Sequence, residues 1–340
     1  MRKLIIPLIL GSLIGCDKAA NSNSDDNPAD PLQAFVEKTQ GTDTKKEPEP
    51  EREPNLNDPV EMRQRGNEFF ALGDYDQAIE FYTAAIEAKE DAKSFFNRGT
   101  AFMSKNDLDK ALADFDKAIQ LEPTAASPYV NRGLLLQRMG KTAQGINDMT
   151  AAIKLDAKDP SIVMNRGLLY LGLAMHDRAY ADFTAAIEMN PKYADAYINR
   201  GYCQHRKRLY KDAIADFDKA VELAPSNPLA WSNRGNAYTQ VGEFDKAIMD
   251  LDEAIRLDAR DAQLYNNRGS AYGAKGEHRR ATADFTRAIE LVPDYAPAFR
   301  NRGLAYHTLQ EKEKARADFL VALEIEPSAT DGIPIEYLAK

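Results

Sequence analysis

Residues 92–125 read AKSFFNRGTAFMSKNDLDKALADFDKAIQLEPTA, and the tripeptide within them, Asn97-Arg98-Gly99, returns every 34 residues. Further copies stand at Asn131–Gly133, Asn165–Gly167, Asn199–Gly201, Asn233–Gly235, Asn267–Gly269 and Asn301–Gly303. A degenerate copy, Gln64-Arg65-Gly66, lies 33 residues ahead of the first. A fixed period of this length marks one supersecondary unit stacked on itself, here eight times over residues 59–327. With the glycine numbered 8, this stretch places Phe95, Phe102 and Phe115 at positions 4, 11 and 24, Ala111 and Ala118 at 20 and 27, and Pro123 at 32. Spacings of three, four and seven within each half predict two amphipathic helices, over positions 2–14 and about 18–30, joined by a turn. The glycine, with no side chain, lets the two helices approach closely. In such a stack each unit touches only its neighbours, so the period predicts one elongated body.

Composition removes several function classes. The formal charge is −9, and the one dense run of cations is Arg206-Lys207-Arg208, too little to neutralise a row of phosphates, so no nucleic acid is expected as a partner. The two cysteines, Cys16 and Cys203, exclude a disulfide framework. Cys203 falls where sibling units carry Ala101, Ala237, Ala271 or Ala305 and reads as a small buried apolar residue. The four histidines, His176, His205, His278 and His307, form no metal-ligand motif. Neither a phosphate-binding loop nor a nucleophile elbow occurs, so no enzyme activity, catalytic residue, metal or cofactor is expected.

The amino terminus reads as an address. Met1-Arg2-Lys3 precedes an apolar run, Leu4–Ile14, too short to span a bilayer and of the length of a secretory signal. It ends in Leu13-Ile14-Gly15-Cys16, which resembles the bacterial lipobox. That resemblance implies a signal peptide over residues 1–16, a lipid on Cys16, and a chain held by acyl anchors on a membrane facing the periplasm or the cell exterior. Asp17 after the cysteine resembles an inner-membrane retention signal, which does not decide between inner and outer membrane. Residues 17–58 hold eleven acidic and five basic residues with few apolar ones, the composition of a disordered acidic linker.

The recurring aromatic at 4, glycine at 8, aromatics at 11 and 24, alanines at 20 and 27 and proline at 32 resemble the tetratricopeptide repeat. The resemblance implies an all-α fold, a right-handed superhelical solenoid of about eight helix-turn-helix units, whose first helices line a concave groove that binds protein. On that reading position 6 faces the groove, and Asn97, Asn131, Asn165, Asn199, Asn233, Asn267 and Asn301 form a ladder of amides. A primary amide both donates and accepts, which suits the main chain of an extended peptide. At helix spacings of roughly 10 Å the ladder would grip about 20 residues of partner. Val130, Met164, Ile198 and Tyr202, together with Phe96, Met103, Leu134, Leu168 and Leu171, predict an apolar first half of the groove. Ser232, Asn236, Thr239, Asn266 and Ser270 predict a polar second half.

An arginine at 7 and an aspartate at 23 recur as Arg98/Asp114, Arg132/Asp148, Arg166/Asp182, Arg200/Asp216, Arg234/Asp250, Arg268/Asp284 and Arg302/Asp318. Antiparallel helices meeting near position 16 bring 7 and 23 to similar heights, which predicts a ladder of ion pairs. Leu320 and Val321 stand where siblings are charged, so the tail, residues 328–340, is expected to fold back as a cap or to give way to a second copy of the chain. The functional expectation is a lipid-anchored scaffold that binds an extended segment of a partner protein for cell-envelope assembly. The alternative is an adaptor that recruits an envelope enzyme, such as a peptidoglycan hydrolase or protease, through its convex surface.

Overall fold

The computed structural model describes residues 58–328, 330 and 332–338. Cys16, the signal segment and the linker as far as residue 57 lie outside the described residues. Among the described residues every regular element is a helix, and consecutive helices pack as pairs. Contacts gather the chain into two compact units, divided between Ala157 and Lys158, where the period alone predicts one body. Because repeats rest on their neighbours only, a period carries no information about where a stack divides.

The first unit holds three pairs: α1 (Pro59–Ala71) with α2 (Tyr75–Ala88), α3 (Ala92–Ser104) with α4 (Leu108–Leu121), and α5 (Ala126–Arg138) with α6 (Thr142–Leu155). The second holds five: α7 (Pro160–Gly172) with α8 (His176–Met189), α9 (Ala194–Arg206) with α10 (Tyr210–Leu223), α11 (Pro228–Val241) with α12 (Phe244–Leu257), α13 (Ala262–Lys275) with α14 (His278–Leu291), and α15 (Ala296–Thr308) with α16 (Lys312–Ile325). A single turn, α17 (Ile335–Leu338), follows.

The ends of these helices are set locally. Asp58, Asp91, Asp159, Asn227 and Asp261 cap first helices, each accepting from a backbone N–H two residues on. Pro59, Pro160 and Pro228 follow three of those caps, where a missing N–H does no harm. Position 15 of every repeat is left-handed: Gly73, Gly140, Gly242 and Gly276, but also Asn106, Ala174, Arg208 and Gln310 at φ 56–63°. This residue lets the N–H of position 16 reach the carbonyl of position 11, as in Asp74 to Phe69 and Met175 to Tyr170, both at 2.9 Å.

The core is built on two small residues facing one large one. A Cβ placed on Gly201 would stand 2.7 Å from Cε1 of Phe217, so only glycine at position 8 admits the aromatic at 24. Phe217 in turn clusters with Ala213 of its own helix and Ala237 of the next repeat. Leu251 does the same with Ala247 and Ala271, and Phe285 with Ala281 and Ala305. The aromatic therefore joins helices within a repeat and repeats to one another.

The eighth repeat is followed by residues that are not a repeat, and these take the place a ninth would fill. Ile333, 6% exposed, packs with Ala315 and Phe319 where a position-10 alanine would come from a ninth repeat. The Tyr337 ring lies 5.0 Å from Phe319, and its hydroxyl is 3.2 Å from Nδ1 of His307. Leu320 stays 56% exposed, so the tail covers the Phe319 face and not the residue whose apolar character drew attention to it. At the other end Glu68 holds position 10 and turns its carboxylate to solvent, paired with Arg65 at 2.5 Å.

Candidate functional site

The asparagines at position 6 do not stand open in a row. Asn97, Asn131, Asn165, Asn199, Asn233 and Asn301 are all at most 8% exposed, and Asn267 is half-buried. Four amides are engaged by the repeat before them. Nδ2 of Asn97 donates to Oδ1 of Asn67 at 2.8 Å, that of Asn131 to Thr100 at 3.2 Å, that of Asn267 to Ser232 at 3.3 Å and that of Asn301 to Asn266 at 2.9 Å. Asn199 instead turns along its own helix, donating to the Asp195 carbonyl at 2.8 Å. Among the described residues its Oδ1 has no partner, and neither has Nδ2 of Asn233.

The preceding repeat explains the difference. Asn67 and Thr100 sit at position 9, Ser232 and Asn266 at position 5, each with a short polar side chain at the seam between successive first helices. Ahead of Asn199 those positions hold Met164 and Leu168, and ahead of Asn233 they hold Ile198 and Tyr202, which present no short acceptor there. A buried amide atom without a partner is unfavourable by about 1–3 kcal/mol, so Asn199 and Asn233 are the two rungs that gain most from a new partner.

The apolar half of the expected groove requires correction. Val130 is 0% exposed, Ile198 1%, Met103 1%, Met164 4%, Leu134 4% and Leu168 7%. They fill the seam between helices and present no surface to a partner. Tyr202 alone of the four apolar or aromatic site candidates is partly exposed, its ring edge-on to His176 at 6.5 Å.

The arginine at position 7 works away from this face. Arg98, Arg132, Arg166, Arg200, Arg234, Arg268 and Arg302 each donate from Nε and Nη2 to the two carboxylate oxygens of Asp114, Asp148, Asp182, Asp216, Asp250, Asp284 and Asp318, at 2.6–2.8 Å. Nη1 reaches back to position 25 of the preceding repeat in several cases, from Arg234 to Asp218 at 2.7 Å and from Arg302 to Thr286 at 3.0 Å. The guanidinium also lies over the aromatic at position 4, at 4.9 Å for Arg234 on Trp231. The hydrogen bond to Asp250 raises the pKa of Arg234 against the opposing effect of burial, whereas at Asp250 burial outweighs the hydrogen bond from Arg234 and raises the carboxyl. In repeat 1, where Phe81 replaces the aspartate, Phe69 and Phe81 stack at 5.4 Å instead.

Models of the tetratricopeptide repeat match residues 64–91, 99–140, 126–159, 167–228, 217–249, 235–276 and 266–330. The chain belongs to the tetratricopeptide repeat family. A solved tetratricopeptide repeat protein from Parabacteroides merdae is 25% identical and superposes with a TM-score of 0.60, over 73% of this chain and 97% of that one. Tetratricopeptide repeat protein 12 of Mus musculus is 33% identical over 108 residues, 32% of this chain and 15% of that protein. Hsp70-Hsp90 organizing protein 2 of Arabidopsis thaliana is 33% identical over 78 residues, 23% of this chain and 13% of that protein. The chain thus spans less than a sixth of either relative's length.

As a tetratricopeptide repeat protein the chain is an all-α interaction scaffold for protein partners, of a kind that is generally not enzymatic. Burial pushes the Cys203 thiol up to about 12, which leaves it unreactive. Burial, then the charge of Arg206, lowers the pKa of His205. Among the described residues no three His, Cys, Asp or Glu side chains gather to hold a metal ion, and no helix is long and apolar enough to cross a membrane. Sequence reasoning missed Asp195, at position 2 of repeat 5. Its carboxylate is half-buried, and burial raises its pKa with no cation to oppose the shift. Its signal was available, because no other repeat has an acid at that position.

Proposed function

We propose that the chain is a lipid-anchored, extracytoplasmic scaffold whose first-helix face holds an extended segment of a partner protein during assembly of cell-envelope complexes. The anchor rests on the lipobox-like Leu13-Ile14-Gly15-Cys16. Binding at the first helices rests on one observation: Oδ1 of Asn199 and Nδ2 of Asn233, one acceptor and one donor in successive repeats, have no partner among the described residues. An extended main chain supplies the complements of both. Both atoms are covered, so engagement requires the amides to turn, which the soft terminal torsion of asparagine allows.

Photo-crosslinking in intact cells from a reactive residue at position 202, in place of Tyr202, tests the reading. The chain should capture a protein, and Asn199→Ala combined with Asn233→Ala should abolish capture while the helical fold persists. A partner retained by the double variant would move binding to the opposite, convex face, as an adaptor for an envelope enzyme would have it. Cys16→Ser should release the chain from the membrane fraction; a variant that stays membrane-bound would remove the lipid anchor from the proposal.

A further inference from the structure

One turn before Asn199 on α9 stands the Asp195 carboxylate, and the two residues are tied by the bond from Nδ2 of Asn199 to the Asp195 carbonyl at 2.8 Å. Among the described residues the carboxylate has neither a hydrogen-bond donor nor a counter-ion, and burial raises its pKa unopposed. The beginning of a helix favours a negative charge but does not by itself supply a partner for these oxygens. Tyr193, pushed up to about 12 by burial and then by Asp195 and Asp159, stands between two acids. Arg200, the nearest cation on the same helix, is about 7.5 Å away along the axis at 1.5 Å per residue and is held by both carboxylate oxygens of Asp216. At position 2 the sibling repeats carry Val60, Lys93, Ser127, Ser161, Leu229, Gln263 and Pro297, so this acid belongs to repeat 5 and not to the repeat pattern.

What stands unengaged here is acceptor only: two carboxylate oxygens and Oδ1 of Asn199, a side chain 96% buried by its 4% exposure. Acceptors without donors match a ligand that donates and cannot accept; among protein side chains those are lysine, arginine and tryptophan, and a carboxylate favours the two cations. We propose that Asp195, with the carbonyl of Asn199 beside it, selects a lysine or arginine side chain of the bound segment. This rests on the first-helix reading above and names the chemistry that the segment must carry there. Nδ2 of Asn233, a donor in the next repeat, then takes a main-chain carbonyl of the same segment. The preference is for cationic segments, opposite in sign to recognition of a carboxylate.

A pool of random twelve-residue synthetic peptides passed over the immobilised full chain provides the test. Peptides retained by the natural chain should be enriched in lysine or arginine at one position, and Asp195→Asn should reduce that enrichment about tenfold, the usual effect of a charge-assisted hydrogen bond. Glu188→Gln, which removes an exposed acid on α8, should leave enrichment unchanged and separates a specific site from general attraction to an acidic protein. Circular dichroism of each variant checks that the helices remain. Retained peptides without a basic preference, or equal losses in the Asp195 and Glu188 variants, would overturn the cation site and leave the segment-binding reading intact. Retention of no peptide at all would overturn both.

Discussion

The guanidinium of Arg200 holds both carboxylate oxygens of Asp216, at 2.8 Å from Nε and 2.6 Å from Nη2. Asp216 is 5% exposed, so this is a bidentate pair largely withdrawn from water. An exposed pair would contribute about 0–1 kcal/mol. Here a double-mutant cycle on Arg200→Ala and Asp216→Ala, read by urea unfolding, should give a coupling of about 1–3 kcal/mol. Coupling near zero would mean that the pair only marks register.

Adding one methyl group at position 8 should be felt at once. In Gly201→Ala the new Cβ meets Phe217 Cε1 at 2.7 Å, a contact that forces the ring or the helices to shift. A loss of about 1–3 kcal/mol is expected, the usual effect of overpacking a filled core. Gly172→Ala is the control, since a Cβ there meets nothing within 4 Å. Thermal melts should separate the two variants, with only the first lowered.

The left-handed turn at position 15 offers the reverse experiment. Ala174 sits at φ 56°, where a Cβ is unfavourable by roughly 1–2 kcal/mol, and four sibling repeats place glycine there. Ala174→Gly should therefore raise the unfolding midpoint, and Gly242→Ala should lower it by a similar amount. Equal and unchanged midpoints would show that the turn tolerates a side chain.

Asp195 should give the chain a pH signature. Burial raises its folded pKa above the ordinary 3.8, so the group favours the folded state fully only below that ordinary value. The benefit is lost as pH rises through the raised folded pKa, and above it the ionised carboxylate disfavours folding. Burial is the one cause of the shift, and no cation offsets it. Asp195→Asn should thus stabilise the chain at neutral pH, with the difference shrinking toward pH 3. A variant that is less stable than the natural chain at pH 7 would show that Asp195 has a favourable partner.

Much of this fold is legible because its signals are local. The helix pairs follow from spacings of three, four and seven, and the position of Phe217 against Gly201 from the need for a small residue opposite a large one. The sixteen-residue spacing of Arg200 and Asp216 is likewise visible in the text of the chain. Helical periodicity does not say whether a neighbouring helix covers a face, and for that reason Val130, Met164 and Ile198 read as groove residues although they fill a seam. The fate of each asparagine depends on a residue 30 to 35 places earlier: Thr100 engages Asn131, whereas Met164 and Leu168 cannot engage Asn199. That rule needs the packing of one first helix on the next. The left-handed turn is visible only where glycine occupies it, and Ala174 and Arg208 conceal it.

Ile333 makes the contact that the alanine of another repeat would make, and it does so from a dozen residues that are not a repeat. A tail of this kind works as a full stop that can follow a sentence of any length. Duplication of a 34-residue unit ahead of residue 328 would give a longer chain whose last Phe–Ala face still met its own terminator. The number of repeats is therefore open to change by gene duplication without a new solution for the end.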